Sequence, residues 1–182
     1  MIFSFFTLLL IIANIVVFIL IRNRKLDIED LGMSYHLVFN RRQYYRLLTA
    51  GFTHREITHI FFNMLSLYNV GGTIELLFGH LGFLLIYFGS MIIGHILALL
   101  LRHNNRDDYT MSIGASGAVY GVIGAYVVLI VRYYGLSALS EMIRPAVSML
   151  VMSMLPGIDG KSHICCLAAG IVIAYLLMQF TF

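Results

Sequence analysis

Ser112-Ile113-Gly114-Ala115-Ser116-Gly117-Ala118-Val119-Tyr120-Gly121 lies within a charge-free stretch running from Tyr109 to Val131. Crossing a bilayer takes about 20 consecutive apolar residues, and this stretch is long enough. Its serine, Ser116, is framed by Gly114 and Gly117 near the N-terminal end. A serine at the start of a transmembrane helix is a candidate nucleophile inside a membrane. Such a residue needs a base, donors for an oxyanion and access to water.

Working outward, the same charge-free pattern recurs. The chain of 182 residues is 60% hydrophobic and only 12% charged. A soluble domain of this size could not cover so much apolar surface with so few charges, so lipid is the solvent for most of it. Apolar windows place spans at Met1 to Ile21, Ile57 to Ile74, Leu76 to Leu101, Tyr109 to Val131 and Ser162 to Phe182. A weaker window, Leu136 to Pro156, contains Glu141, Arg144 and Pro145 and reads as the fifth of six spans. Met1 to Ile21 lacks the basic start and Ala-x-Ala site of a signal peptide, so it reads as a span. Short turns between spans, such as Tyr133-Tyr134-Gly135, predict a single all-α membrane bundle over residues 1–182.

The longest polar segment, Arg22 to Thr53, interleaves Arg22, Arg24, Lys25, Arg41 and Arg42 with Leu37, Phe39, Tyr44 and Tyr45. Basic residues among aromatics predict an interfacial loop at the membrane surface. The net charge is +3. In a six-span protein it points to lipid headgroups as partners rather than to nucleic acid. Cys165 and Cys166 are neighbours inside the last span, which is poor geometry for a disulfide, and they read as free packing residues.

Polar side chains at membrane depth are costly and mark candidate sites. They are His59 and Asn63 on span two, His95 on span three, Ser116 and Tyr120 on span four, and His163 on span six. His59 and Asn63 are four apart and share a helix face. Either alone reads as an interhelical hydrogen bond; together they read as a polar site. Ser116 lies in the first turn of its helix, where backbone N–H groups lack intrahelical partners and carry the positive end of the dipole. An oxyanion formed there could be met by the Ser116 N–H, with Asn63 and His59 as side-chain donors. His163 is the candidate general base. It follows Ser162, which reads as a helix N-cap, and spans four and six run the same way, so both polar residues fall at one end of the membrane. Gly117, Gly121 and Gly124 on span four, and Cys166 and Gly170 on span six, allow the close approach such a pair needs. Tyr120, one turn beyond Ser116, could pack on the imidazole. Asp159 precedes His163 by four residues and reads as a cap or a solvated loop residue.

Other chemistries fit less well. His54 and His59 are five apart, about 140° around a helix, and do not converge on one zinc ion. Lys25 and Lys161 lie outside the spans, so no Ser–Lys dyad is available. Position 118 is Ala, which breaks the Gly-x-Ser-x-Gly elbow of soluble hydrolases.

These residues together resemble a known family. Gly114-Ala115-Ser116-Gly117 resembles the Gly-x-Ser-Gly motif of rhomboid intramembrane serine proteases. His59-Ile60-Phe61-Phe62-Asn63 resembles their His-x-x-x-Asn, and Gly71-Gly72-Thr73-Ile74-Glu75 their Gly-Gly-x-x-Glu. Tyr45-Arg46 resembles the Trp-Arg pair of the first loop, with Tyr for Trp. His163 followed by Gly170 resembles the last-helix histidine and its glycines, with Cys166 where the nearer glycine usually stands. The chain most resembles the minimal six-helix bacterial rhomboids of the GlpG type. The resemblance implies a six-helix bundle with an interfacial first loop. It implies a serine endopeptidase in which a Ser116–His163 dyad cleaves transmembrane helices near the membrane surface. Asn63, His59 and the Ser116 N–H would form the oxyanion hole, with Tyr120, Gly114 and Gly117 supporting. No metal or organic cofactor is implied. The implied location is the bacterial inner membrane, with the site open to the periplasm. Charge alone points the other way: of twelve Lys and Arg, seven lie between Arg22 and Arg55, and the positive-inside rule would turn that loop to the cytoplasm. The family orientation is adopted here. The alternative functions are an inactive relative that binds transmembrane clients, and a small channel or transporter lined by His59, Asn63 and His163. Span five and the loop from Pro156 to Gly160 are the expected substrate gate and lid.

Overall fold

A computed structural model describes residues 4–103, 109–138 and 159–181. Six α-helices are present among them: α1 (Phe5–Arg22), α2 (Ile28–Leu31), α3 (Arg46–Thr49), α4 (Ile57–Leu100), α5 (Ser116–Tyr134) and α6 (Gly160–Thr181). The chain is an all-α membrane protein: α1, α4, α5 and α6 are each long and apolar enough to cross a bilayer. The fifth predicted span and the expected gate and lid lie outside the described residues, apart from the short turn Leu136–Ala138 and the residues Asp159 and Gly160.

At 44 residues, α4 would be about 66 Å long if straight, twice the hydrocarbon thickness. It is not straight. Gly79 has φ 71° and ψ 172°, a backbone that L-residues avoid, and the helix turns back on itself there. Phe52, just before the helix, meets Phe88 beyond the corner, with ring centroids 6.4 Å apart. His95, near the far end, donates from Nδ1 to the carbonyl of Leu47. The two halves, 57–78 and 80–100, therefore run antiparallel and supply spans two and three.

Glu75 fixes α1 at that corner. Its carboxylate accepts the N–H groups of Phe6 and Thr7, at 2.9 and 2.8 Å, and the Thr7 hydroxyl at 2.8 Å. The start of α1 has orphan N–H donors, and a buried anion there satisfies them and complements the helix dipole. Much of α1 otherwise faces outward: Phe5, Leu8, Ile12, Ile15 and Ile19 are exposed, as suits contact with lipid.

The core lies among α4, α5 and α6 and is built from Leu67, Ile74, Phe83, Tyr87, Val119 and Ala174. Small residues set the spacing of the helices. A Cβ on Gly170 would collide with the Gly121 carbonyl, and one on Gly124 with the Leu167 carbonyl. Cys166, bulkier than the glycine of the family motif, is accommodated by a glycine on another helix. Its sulfur lies where a Gly94 side chain would go, and 3.1 Å from the position of a Gly117 Cβ.

The first loop is a folded layer with its own core of Met33, Val38, Leu47, Ala50 and Leu99. Arg46 holds it. Its guanidinium is buried and donates to the carbonyls of Glu29 (2.7 Å) and Gly32 (2.6 Å) and to Gln43 Oε1 (2.6 Å). Tyr45 covers the same guanidinium, 5.4 Å from ring centroid to Arg46 Cζ. The loop is tied to the segment before α5 by a two-way bridge, Met33 N–H to the Ser112 carbonyl and Ser112 N–H to the Met33 carbonyl.

Candidate active site

The segment leading into α5 is held straight up to Ser116. After the Ser112 bridge, the Gly114 N–H donates to the Ala50 carbonyl at 2.9 Å. Gly114 has φ 118°, and a Cβ there would sit 2.6 Å from His59 Cε1. Only glycine meets both constraints. Ala115 N–H then donates to His54 Nε2 at 3.2 Å, and Ser116 is the first residue of α5. The helix thus starts seven residues later than the apolar window, because the polar turn at 112–115 is spent on these anchors.

His163, in the first turn of α6, reaches Ser116 from the neighbouring helix: Nε2 lies 2.7 Å from Ser116 Oγ. This is hydrogen-bond distance. The imidazole stacks on Tyr120, centroids 4.3 Å apart and 11° from parallel. His163 is buried, and its Nδ1 has no hydrogen-bond partner among the described residues. With the proton on Nδ1, the tautomer assigned here, Nε2 accepts the serine hydroxyl.

Ser162 does not cap its helix. Asp159 does: its Oδ1 accepts the Ser162 N–H at 3.0 Å, and α6 begins at Gly160. An N-cap carboxylate accepts from the third helical residue, and that is the role Asp159 takes. Asp159 is not solvated either, since it pairs with Arg102.

His54 belongs to the site and was not singled out by sequence reasoning. It is fully buried just before α4 and accepts at Nε2 from Ala115 N–H and from Asn63 Nδ2, the latter at 3.1 Å. Burial, then the neighbouring His59, push its pKa down to about 3. It is therefore neutral at physiological pH, as an acceptor for two donors must be. His59 meets it edge-on, centroids 5.0 Å apart. His59, Asn63 and His54 thus form one polar cluster joined to the backbone immediately before Ser116. Asn63 is engaged by His54, and His59 lies against Gly114. The only signal for His54 in the sequence was a histidine placed one turn before His59, outside the helix.

Gly117 makes room for a further buried side chain, His95: a Cβ there would lie 2.7 Å from His95 Nε2. Behind Ser116 and His163 is a cavity of about 10 Å³, lined by His95, Ser112, Gly117 and Ser162 among others. That is room for about one water with several polar partners. Among the described residues, no three His, Cys, Asp or Glu side chains are grouped to hold a metal ion.

Residues 41–180 match the model of the Rhomboid domain. The chain is similar to the putative rhomboid protease YdcA of Bacillus subtilis (strain 168), 28% identical over 83% of this chain and 76% of that protein. It is similar to the rhomboid protease GluP of the same organism, 35% identical over 66% of this chain and 24% of that protein. It is also similar to the inactive RHOMBOID-like protein 8 of Arabidopsis thaliana, 30% identical over 73% of this chain and 38% of that protein. The last two are much longer than the region they share with it. The domain match extends from the first loop to the end of α6 and takes in every polar residue of the cluster, and the chain belongs to the rhomboid family.

Proposed function

We propose that this chain is an intramembrane serine endopeptidase acting on transmembrane helices, with residues 1–182 working as one catalytic domain. The observation that carries this reading is the 2.7 Å approach of Ser116 Oγ to His163 Nε2 at the N-terminus of α5. A merely structural serine at that position would have no need of an imidazole stacked in place on Tyr120.

In the proposed reaction, Ser116 Oγ attacks the scissile carbonyl as His163 Nε2 takes its proton. The tetrahedral oxyanion is met by the Ser116 N–H, one of the orphan donors at the helix start, with Asn63 and His59 as further donors. His163 then protonates the leaving amine. Water, activated by His163, attacks the acyl-enzyme and releases the second product. Asn63 would exchange part of its bonding to His54 for the oxyanion as substrate binds. Tyr120 would keep the ring aligned, Gly114 would let His59 come close, and Gly117 would let α6 and His95 pack against the nucleophile's turn. No step calls for a metal or organic cofactor.

The family orientation would open the site to the periplasmic side of a bacterial inner membrane, with lipids and transmembrane substrates as partners. One relative named as inactive makes client binding without cleavage the competing reading. Purified protein incubated with a model transmembrane substrate separates the two. Cleavage by the wild type that is lost in both Ser116→Ala and His163→Ala is expected. Equal cleavage by Ser116→Ala would end the protease reading, and binding without cleavage by any form would favour client capture.

A further inference from the structure

We propose that Arg102, Ser112 and Asp159 form a clamp that positions Ser116 and His163; the inference rests on the protease reading above. Asp159 Oδ2 accepts the Ser112 hydroxyl at 2.6 Å. Arg102 Nη1 donates to Ser112 Oγ at 2.8 Å, and Arg102 Nη2 is ion-paired to Asp159 Oδ1. Three segments meet there: the end of α4, the turn before α5 and the start of α6.

The spacing links this cluster to the dyad. Ser112 precedes Ser116 by four residues, and Asp159 precedes His163 by four. The Ser112–Asp159 bond and the Ser116–His163 bond therefore join the same two segments at matching register, 47 residues apart in each case. They are two rungs between the nucleophile segment and the base helix. A neutral Ser–His bond is a weak net tie and would hold two helices poorly. The other rung is charge-assisted and buried: Arg102 is 7% exposed and Ser112 5%.

Asp159 works through the helix rather than the imidazole. Its oxygens are taken by Arg102, Ser112 and the Ser162 N–H, and its carbonyl accepts the His163 N–H at 3.1 Å. His163 Nδ1, where the third member of a triad would bind, has no partner among the described residues. Asp159 is thus a positioning residue, and so is Arg102. Ion pairs of this kind are weak devices for stability but fix geometry, because each partner is costly to leave alone.

The test uses the full chain in lipid nanodiscs with a model transmembrane substrate. Arg102→Gln alone strands a half-buried carboxylate, so the decisive variant is Arg102→Gln with Asp159→Asn, which removes both charges. The expected result is a kcat loss of 10- to 100-fold with KM within about twofold, because a displacement of about 1 Å at a reacting pair costs that much. Amide hydrogen exchange at Ser162 and His163 should accelerate, while exchange in the middle of α6 stays unchanged. Ser112→Ala, which disturbs no charge, should show the same pattern at about 3- to 10-fold. Arg102→Lys, keeping the charge, should recover part of kcat. Wild-type kcat in the double variant, or in Ser112→Ala should the double variant not fold, would overturn the clamp. If wild-type cleavage proves independent of Ser116, the protease reading fails by itself, and unchanged exchange at Ser162 and His163 then overturns the clamp separately.

Discussion

Tyr120 and His163 lie face to face, ring centroids 4.3 Å apart and planes within 11°. The stack orients an imidazole whose Nδ1 has no hydrogen-bond partner among the described residues. Where a carboxylate triad would hold the ring by a bond, the aromatic face does so by contact. Such pairs contribute about 0.5–1.5 kcal/mol beyond their burial. Tyr120→Ala should therefore lower kcat by roughly tenfold, and Tyr120→Phe, which keeps the face, by no more than about threefold. Steady-state cleavage assays check this. Equal losses in the two variants would move the role from the ring to the hydroxyl.

His54 gives the site a pH-dependent stability. Its folded pKa is near 3, below the ordinary 6.5, so the unfolded chain binds the proton more readily. The contribution is fully present above pH 6.5 and is lost as pH falls toward 3. Between pH 7 and pH 5 the loss is on the order of 2 kcal/mol. Thermal melts of the detergent-solubilised protein should show a steeper acid decline for wild type than for His54→Gln. The same substitution disturbs the acceptor of Ala115 N–H and Asn63, so its melting temperature at pH 7.5 should already be lower. Parallel acid declines in the two proteins would rule out His54 as the titrating group.

Much of this arrangement was legible in the sequence, for reasons that differ by residue. Apolar windows found spans one to four and six, the ones within the described residues, because lipid demands continuous apolar runs, and the helical offsets of His59, Asn63 and Gly121 placed them on faces. The short run Gly79-His80-Leu81-Gly82 reads as the turn joining spans two and three, and the corner falls at Gly79. His54, Arg102 and Ser112 escaped because each works across chain segments: nothing local to Arg102 says that it meets Asp159. Cys166 stands where the family motif has its nearer glycine, so its larger side chain needs room from a neighbour. Gly94, on a different helix, takes up its sulfur. Compensation between helices leaves no local pattern.

The meeting of α5 and α6 at Gly121 and Gly170 should be the least tolerant contact in the bundle. A Cβ on Gly170 has no space against the Gly121 carbonyl, which is backbone and cannot swing away. Gly170→Ala should cost about 1–3 kcal/mol and lower kcat by separating the helices that carry Ser116 and His163. Gly72→Ala is the control: its Cβ would rest 3.4 Å from Ser4 Cβ, an ordinary contact. Melting temperature and cleavage rate should fall together in Gly170→Ala and stay near wild type in Gly72→Ala. A fully active, stable Gly170→Ala would mean that α5 and α6 can separate without disturbing the dyad.

Glu75 separates scaffold from site in the opposite sense. It lies at the corner of α4, where it accepts from the backbone of Phe6 and Thr7, from the Thr7 hydroxyl and from His80 Nδ1 at 2.6 Å. Bonds to a charged acceptor are each stronger than neutral ones, and Glu75→Ala leaves the α1 donors without a partner in an apolar setting. The loss should be on the order of 3 kcal/mol in stability. Yet α1 packs on α4, while the dyad is carried by α5 and α6, at the opposite end of the bundle. Glu75→Ala measured well below its melting temperature should therefore keep kcat within about threefold of wild type, while its denaturation midpoint drops clearly. Glu75→Gln, which preserves an acceptor for one or two of the four donors, should fall between. A kcat loss matching that of His163→Ala, with stability retained, would make Glu75 part of the reaction rather than of the frame that holds it.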